Sequence, residues 1–315
     1  MVDNKKIIIV IPAYKVAVHI ENVIRGIPSF IDEIIVIDDK CPENSGTIID
    51  KLKIHNVTVI YHEINQGVGG AVITGFLKAI DNGADIVVKI DGDGQMDCSY
   101  INKLIEPIIQ GYADYTKGNR FMVFKLLKTM PKIRLLGNSG LSFLIKIASG
   151  YWNIMDPTNG FIAINRYALL SLNFEKIAKR YFFESDLLIN LNIYNMVVKD
   201  ISIPTKYGNE KSSLNVIKTF FEFPPLIFKG FLKRIFFKYY IYDFNMASIY
   251  ILLGIPMVLF GSIFGLIKWI NGIIYDVNNT AGTIMVAVLP IILGTLFLLQ
   301  AIQIDINSVP KKTRG

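Results

Sequence analysis

Charged side chains are scarce in this chain. Asp, Glu, Lys and Arg make up 19% of its 315 residues, against roughly 25% in an ordinary soluble domain. The hydrophobic fraction is 52% and the mean hydropathy +0.42, a balance that excludes a disordered chain and argues against a wholly soluble one. Cysteine is nearly absent. Cys41 and Cys98 are too few for a disulfide scaffold or a structural zinc site, and read as small, semi-buried residues of a reducing compartment. Histidine is limited to His19, His55 and His62, whose spacing is not that of metal ligands; His19 reads as a helix start and His55 as a helix end. There is no internal repeat and no low-complexity tract, and the apolar stretch Ile7–Ala13 is too short for a cleavable signal. The net charge of +7 would suit a nucleic-acid binder, but the basic residues lie beside apolar segments, which argues for a membrane surface and against nucleic acid.

The apolar excess is concentrated. Phe244–Ile267 and Ala281–Ile304 are runs of 24 residues without a charge. As helices each spans about 36 Å, enough to cross a hydrocarbon core of roughly 30 Å with some tilt. Pro256 and Pro290 inside them are tolerated better in a membrane helix than in a soluble one. The runs predict a transmembrane hairpin with a loop over Lys268–Thr280, in which Trp269 and Tyr275 sit at interfacial depth. Lys229, Lys233, Arg234 and Lys238 precede the first run, and Lys311, Lys312 and Arg314 follow the second. Positive residues stay inside, so both ends are expected in the cytoplasm, with the preceding residues forming a cytoplasmic domain anchored to the inner membrane. Leu226–Tyr240 mixes Lys with Phe, Leu and Ile as an interfacial helix drawn to anionic lipid would, and Pro224-Pro225 is expected to separate it from a second amphipathic stretch, Leu214–Phe223.

Ahead of these segments, strand-length apolar runs alternate with helical patterns. Strands are predicted at Ile7–Ile11, Glu33–Asp38, Val57–Tyr61 and Asp85–Ile90, then at Ala113–Lys117, Phe161–Asn165 and Val197–Ile203, with helices at His19–Ile27, Gly46–Ile54 and Gly69–Asp81. The alternation predicts an α/β domain with a mostly parallel sheet covered by helices. Ligands of such sheets bind beyond the carboxyl ends of the strands. There the sequence places Pro12-Ala13-Tyr14, Asp38-Asp39 and Asp91-Gly92-Asp93-Gly94-Gln95. Carboxylates at alternate positions repel unless a cation lies between them, and a few hard oxygens suit Mg²⁺ or Mn²⁺ shared with a diphosphate. The glycines of Asn65–Ala71 serve either close approach of a ligand to a helix N-terminus or plain helix entry.

PAY, IDD, NQGVGGA, DGDGQ and GNR, in this order, resemble the family 2 glycosyltransferases of the GT-A fold, and within them the dolichol-phosphate mannose synthase-like, polyprenyl-phosphate branch. The resemblance runs over residues 6–213. It implies a GT-A domain at 1–213, to which the apolar runs and basic residues add juxtamembrane amphipathic helices at 214–243, the hairpin at 244–304 and a cytoplasmic tail at 305–315. It also implies that Pro12, Ala13, Tyr14 and Asp39, with Asp38 beside them, hold the nucleotide of a UDP- or GDP-linked sugar, with Gly67 in the donor set. Asp91, Asp93 and Gln95 match the metal and diphosphate site. Arg120, Arg134 and Asn138 match contacts to an acceptor phosphate, and Lys206, Lys211 and Ser212 match a basic loop closing over the donor. Lys15 stands where the family usually has Asn, and Asn138 where relatives have Ser.

The reaction implied is inverting displacement at the anomeric carbon of a nucleotide sugar. A lipid phosphate acceptor is already anionic and needs cations, whereas a saccharide hydroxyl needs a base, for which Glu184 or Asp186 is available. The greasy, basic stretch Phe121–Tyr151 favours polyprenyl phosphate over plain helix packing, undecaprenyl phosphate if the host is bacterial. A lipid-linked saccharide acceptor is the alternative, and a non-catalytic nucleotide-sugar-binding membrane module the remote one. A homo-oligomer is compatible with these features, none of which encodes it.

Overall fold

The computed structural model describes residues 4–120, 132–203 and 216–313; in the second and third of these segments, side chains are described from residues 140 and 222 onward. The chain forms two compact units, Met1–Arg234 with Pro310–Gly315, and Ile235–Val309.

The first unit is built on strands β1 (Ile7–Ala13), β2 (Glu33–Asp38), β3 (Val57–Tyr61), β4 (Ile86–Lys89), β5 (Tyr115–Asn119), β6 (Ile162–Asn165) and β7 (Val198–Ser202), in the order β3-β2-β1-β4-β6-β5-β7. Each predicted apolar run forms a strand. β1 is buried along its whole length, as expected of a strand covered on both faces. The sheet is not wholly parallel: β6 runs antiparallel to β4 and β5, while β5 and β7 pair in parallel. An apolar run carries length and burial but no direction, so this reversal was not readable from the pattern.

Helices α1 (Ile20–Arg25), α2 (Ser45–Leu52), α3 (Val68–Asp81) and α4 (Ile101–Ile109) alternate with the first strands, followed by α5 (Lys132–Ser149), α6 (Arg166–Ser171) and α7 (Phe183–Ile193). α3 lies close on β1, and a Cβ at Gly75 would collide with Val10. His19 is the N-cap residue of α1. α2 ends at Leu52, with Lys53 in the left-handed region, so His55 lies beyond that helix rather than at its end. Cys41 and Cys98 are both buried.

Helix α8 (Val216–Phe236) runs unbroken through Pro224-Pro225, against the expected separation there. A proline inside a helix costs about 3 kcal/mol or more. Here it is offset by packing: Phe223 and Ile227 are buried, Phe223 meets Phe182 edge-on at 5.4 Å, and Lys233 Nζ donates to Asn190 Oδ1 at 2.7 Å. Arg234 is fully buried and donates to the carbonyls of Ala148 and Ile147 at the end of α5, at 2.8 and 2.9 Å.

In the second unit a π-helical turn, Phe237–Tyr242, leads to α9 (Met246–Ile274) and α10 (Ala281–Asn307), which form an apolar helical hairpin. Both are long and apolar enough to cross a membrane, and their outward faces expose Leu253, Phe260, Ile263, Leu289, Leu296 and Leu299. α9 continues past Lys268 and Trp269, which were expected in the loop. A single lysine at a helix end does not stop the helix, and Lys268 Nζ rests over the Phe264 ring at 5.8 Å. The seam is made of small residues at steps of seven, Ala247, Gly254 and Gly261 against Ala287, Gly294 and Ala301, all buried. Backbones approach closely there: a Cβ at Gly261 would come within 2.5 Å of the Ala287 carbonyl. At one end Tyr239 donates to buried Asp305 at 2.6 Å and Lys238 to Ser308 at 3.1 Å.

Candidate active site

The carboxyl ends of β1, β2 and β4 share one rim, with Ala13 level with Asp38 and Val10 with Lys89. Pro12, Ala13 and the half-exposed Tyr14 stand there. Lys15 follows in the left-handed region (φ 57°), a conformation that Asn adopts more readily than Lys. Its backbone N–H donates to Cys41 Sγ at 3.1 Å.

Asp38 and Asp39 are both buried and held by the protein. Asp38 accepts from the N–H groups of Cys41 and Gly46, each at 2.7 Å. Asp39 accepts from the N–H groups of Gln66 and Gly67, each at 2.8 Å, and pairs with His62 Nδ1 at 2.7 Å. The other nitrogen of His62 is 2.9 Å from Thr74 Oγ1 on α3. Asp39 thus ties the end of β2 to the Asn65–Ala71 loop. The glycines of that loop answer to protein rather than to a ligand alone. Gly67 (φ +85°) and Gly69 face the backbone of Ala178 and Lys179, where a Cβ would lie at 2.8 and 2.6 Å, and Gly70 N–H donates to the Lys179 carbonyl at 2.9 Å.

At the end of β4, Asp93 Oδ1 accepts from the Gln95 N–H at 3.0 Å and Gly94 takes the positive φ (+76°) that the turn requires. Asp91 Oδ1 lies 2.7 Å from Lys89 Nζ, which also reaches Glu184 Oε1 at 3.3 Å. Lys89 is 1% exposed. Burial alone would lower its pKa, but the facing carboxylates of Asp91 and Glu184 outweigh it and hold the lysine above its ordinary value. Burial in turn pushes the Glu184 carboxyl up against the pull of Lys89, and Asp91 adds to the rise.

The two acids offered as bases are therefore in different places. Glu184, in the first turn of α7, faces Lys89. Asp186 Oδ2 accepts from the Ala178 N–H at 2.8 Å and Oδ1 from Asn190 Nδ2 at 3.1 Å; burial raises its pKa despite these bonds.

Arg120, just past β5, makes a bidentate pair with Asp156, Nε to Oδ2 at 2.7 Å and Nη2 to Oδ1 at 2.8 Å. Asp156 is 1% exposed. Burial would raise its pKa, yet the Arg120 guanidinium holds the carboxyl below the usual range. Behind it Lys117, fully buried, donates to the Asp156 carbonyl and faces Asp200 Oδ1 at 3.4 Å. Asp200 also accepts from Asn119 Nδ2 at 2.7 Å. Burial keeps Lys117 below its ordinary value in spite of these acids.

Arg134 and Asn138 belong to α5, but their side chains lie outside the described residues, as do residues 121–131 and Lys206, Lys211 and Ser212. Further along α5, Phe143 and Leu144 are exposed while Ile145 and Ala148 are buried. The sequence reading missed Lys89, His62, Asp156, Lys117 and Asp200. Lysines within otherwise buried strand runs, IVVK and YTKGN, were the available signal, because a lysine is almost never fully buried unless paired.

Among the described residues no three or more His, Cys, Asp or Glu side chains gather as a metal cage. Two carboxylates and an amide on one short turn are an incomplete hard-oxygen set, which fits a Mg²⁺ or Mn²⁺ shared with a diphosphate.

Comparison with known proteins agrees with this arrangement. The family model described as glycosyl transferase family 2 matches residues 8–172. The chain is 36% identical over 219 residues to the UDP-N-acetylglucosamine–dolichyl-phosphate N-acetylglucosaminyltransferase of Methanococcus voltae, covering 65% of this chain and 87% of that one. It is 27% identical to the undecaprenyl-phosphate mannosyltransferase of Micrococcus luteus, over 49% of this chain and 64% of the relative. Its fold resembles glucosyl-3-phosphoglycerate synthase from Mycobacterium tuberculosis, solved with Mn²⁺ and UDP-glucose, at a TM-score of 0.55 and 20% identity over 73% of this chain and 79% of that one. With the family's match spanning strands β1 to β6 and the acidic rim, the chain belongs to glycosyl transferase family 2 and is a glycosyltransferase of GT-A fold.

Proposed function

We propose that this glycosyltransferase moves a sugar from a UDP- or GDP-linked donor to a polyprenyl phosphate, with its 1–213 domain in the cytoplasm and its C-terminal hairpin in the membrane. A phosphate oxygen of the lipid attacks the anomeric carbon. The bond from that carbon to the donor diphosphate breaks, and its electron pair leaves with the nucleoside diphosphate. A single in-line attack inverts the anomeric configuration.

The observation that carries the acceptor is the burial of both candidate bases, Glu184 and Asp186 each being 9% exposed. Glu184 faces the buried ammonium of Lys89, and Asp186 is bonded to Ala178 and Asn190. A hydroxyl acceptor needs a base with an open carboxylate within reach of its proton; an acceptor that is already an anion does not. The names of the methanogen and Micrococcus relatives support the same lipid class.

For the donor, Tyr14, Asp38 and Asp39 form the nucleotide end of the rim. Asp91, Asp93 and Gln95 would hold the divalent cation, and Lys206, Lys211 and Ser212 are assigned to the donor diphosphate. A bound cation supplies positive charge to the diphosphate as it departs. Arg134 and Asn138 are assigned to the acceptor phosphate.

The test is transfer of radiolabelled sugar from a panel of nucleotide sugars to polyprenyl phosphate in detergent, with and without chelator. Glu184→Gln is expected to lose no more than about tenfold in turnover, since loss of a true base costs on the order of 10²–10⁴-fold, and Arg134→Ala is expected to be the more damaging. Transfer only to a lipid-linked saccharide, with Glu184→Gln inactive and donor binding intact, would refute the reading. A chelator-insensitive product would remove the metal from it.

A further inference from the structure

The reaction just described leaves a cation at the acidic rim without a task. Lys89 is the last residue of β4, in the middle of the sheet, level with Val10 of β1 and Ile162 of β6. Sheet packing alone selects Val or Ile at such a position, and an ammonium is costly there unless it is paired. Its partners come from two separate elements: Asp91 at 2.7 Å from the turn after β4 and Glu184 at 3.3 Å from α7. A third segment is shaped around the group. Gly160, just ahead of β6, leaves room that a side chain would fill, because its Cβ would collide with Nζ and lie 2.7 Å from Asp91 Oδ2 and 3.5 Å from Glu184 Oε1.

We propose that Lys89 is a positioning residue of the donor site: its ammonium fixes the Asp91 carboxylate in the orientation that receives the cation and the diphosphate, with Glu184 as its second counter-charge. The inference rests on the reading of Asp91 as part of the metal and diphosphate site. An ionised carboxylate offers about four lone-pair positions. Lys89 occupies one at Oδ1 and so restricts rotation of the group while the others stay available. Groups that orient a metal ligand from behind are worth roughly 10–100-fold in metal affinity.

The alternative role for the lysine is neutralisation of buried Glu184 and part-exposed Asp91, and a pair of variants separates the two. Binding of Mn²⁺, alone and with UDP or GDP, is measured by electron paramagnetic resonance on the full-length protein in detergent, with thermal stability recorded alongside. Lys89→Met is expected to lower both stability and Mn²⁺–nucleotide affinity, the latter by about 10–100-fold. In Lys89→Met/Glu184→Gln one of the two uncompensated acids is gone, so stability is expected to return while affinity stays low. Affinity that returns together with stability in the double variant overturns the proposal, as does a Lys89→Met protein that binds like the wild type. A wild-type protein that binds Mn²⁺ with neither nucleotide removes the reading of Asp91 and this inference with it. Wild-type binding with affinity regained in the double variant removes the inference alone.

Discussion

Removing Arg120 separates its structural part from its expected contact with the acceptor. In Arg120→Ala, Asp156, which is 1% exposed in the intact protein, loses both arms of a bidentate pair. Breaking a buried pair from one side costs about 3–5 kcal/mol. The lower end applies here, because Asn159 Nδ2 and the backbone N–H of residue 120 still donate to Oδ2, each at 3.2 Å. In a unit of this size each kcal/mol moves Tm by about 2–4 °C, so a fall of about 6–12 °C is expected at neutral pH. The pH dependence has a definite sign. The native Asp156 carboxyl is held below the usual range, so its contribution is fully present above an unfolded pKa of about 3.9 and is lost as pH falls through the lower native value. The gap between wild type and Arg120→Ala is therefore expected to close as the solution is acidified below about pH 4. Arg120→Ala/Asp156→Asn, which removes the charge as well, is expected to regain most of the lost Tm. If Arg120 also touches the acceptor phosphate, that double variant keeps a raised acceptor KM after its stability has returned. Differential scanning fluorimetry in detergent and acceptor titrations read both effects. A Tm within 2 °C of wild type for Arg120→Ala, or no recovery in the double variant, would refute the reasoning.

Two further outcomes follow from the geometry. His62→Ala removes a partner of buried Asp39, so a stability loss of about 1–3 kcal/mol is expected, with donor KM rising more than kcat falls; an unchanged donor KM would separate Asp39 from the nucleotide. Gly261→Leu forces a side chain into a seam where even a Cβ would meet the Ala287 carbonyl at 2.5 Å. The hairpin is expected to splay, read as loss of a disulfide engineered across the seam and as earlier thermal aggregation in detergent, while Leu253→Ala on the outward face leaves both unchanged.

Much of this architecture was legible in the sequence because burial writes itself into composition. The runs at Ile7, Glu33 and Val57 are rich in Ile and Val and became neighbouring parallel strands, and the acidic turn fell at a strand end as their alternation with helices required. What stayed hidden depends on partners distant in the chain. The direction of β6 is decided by where the chain returns after α5. The glycines at 67 and 69 are set by a backbone more than a hundred residues away, at Ala178 and Lys179. Lys89 could have been flagged as an anomaly in a buried run, but its partner Glu184 lies 95 residues downstream. Pro224-Pro225 signalled a break that packing against Phe182 and Asn190 overrides. The small-residue seam was in plain view at steps of seven, but a search for runs without a charge treats Gly and Leu alike.

The burial of Arg234 alters how the protein would adhere to lipid. Counting basic side chains before the first span suggests a strong electrostatic grip, at about 1 kcal/mol per residue near an anionic surface. Arg234 is instead turned inward onto two helix-end carbonyls, and Lys238 onto a serine hydroxyl. Among its described residues from 226 onward, α8 presents Leu226, Phe228, Leu232 and Phe236 outward, with Lys229 among them. In the proposed membrane-anchored arrangement, adhesion through such a face would be governed by wetting rather than by charge, so strong brine should hardly loosen it, and the lipid's tails rather than its headgroups would be the surface it meets.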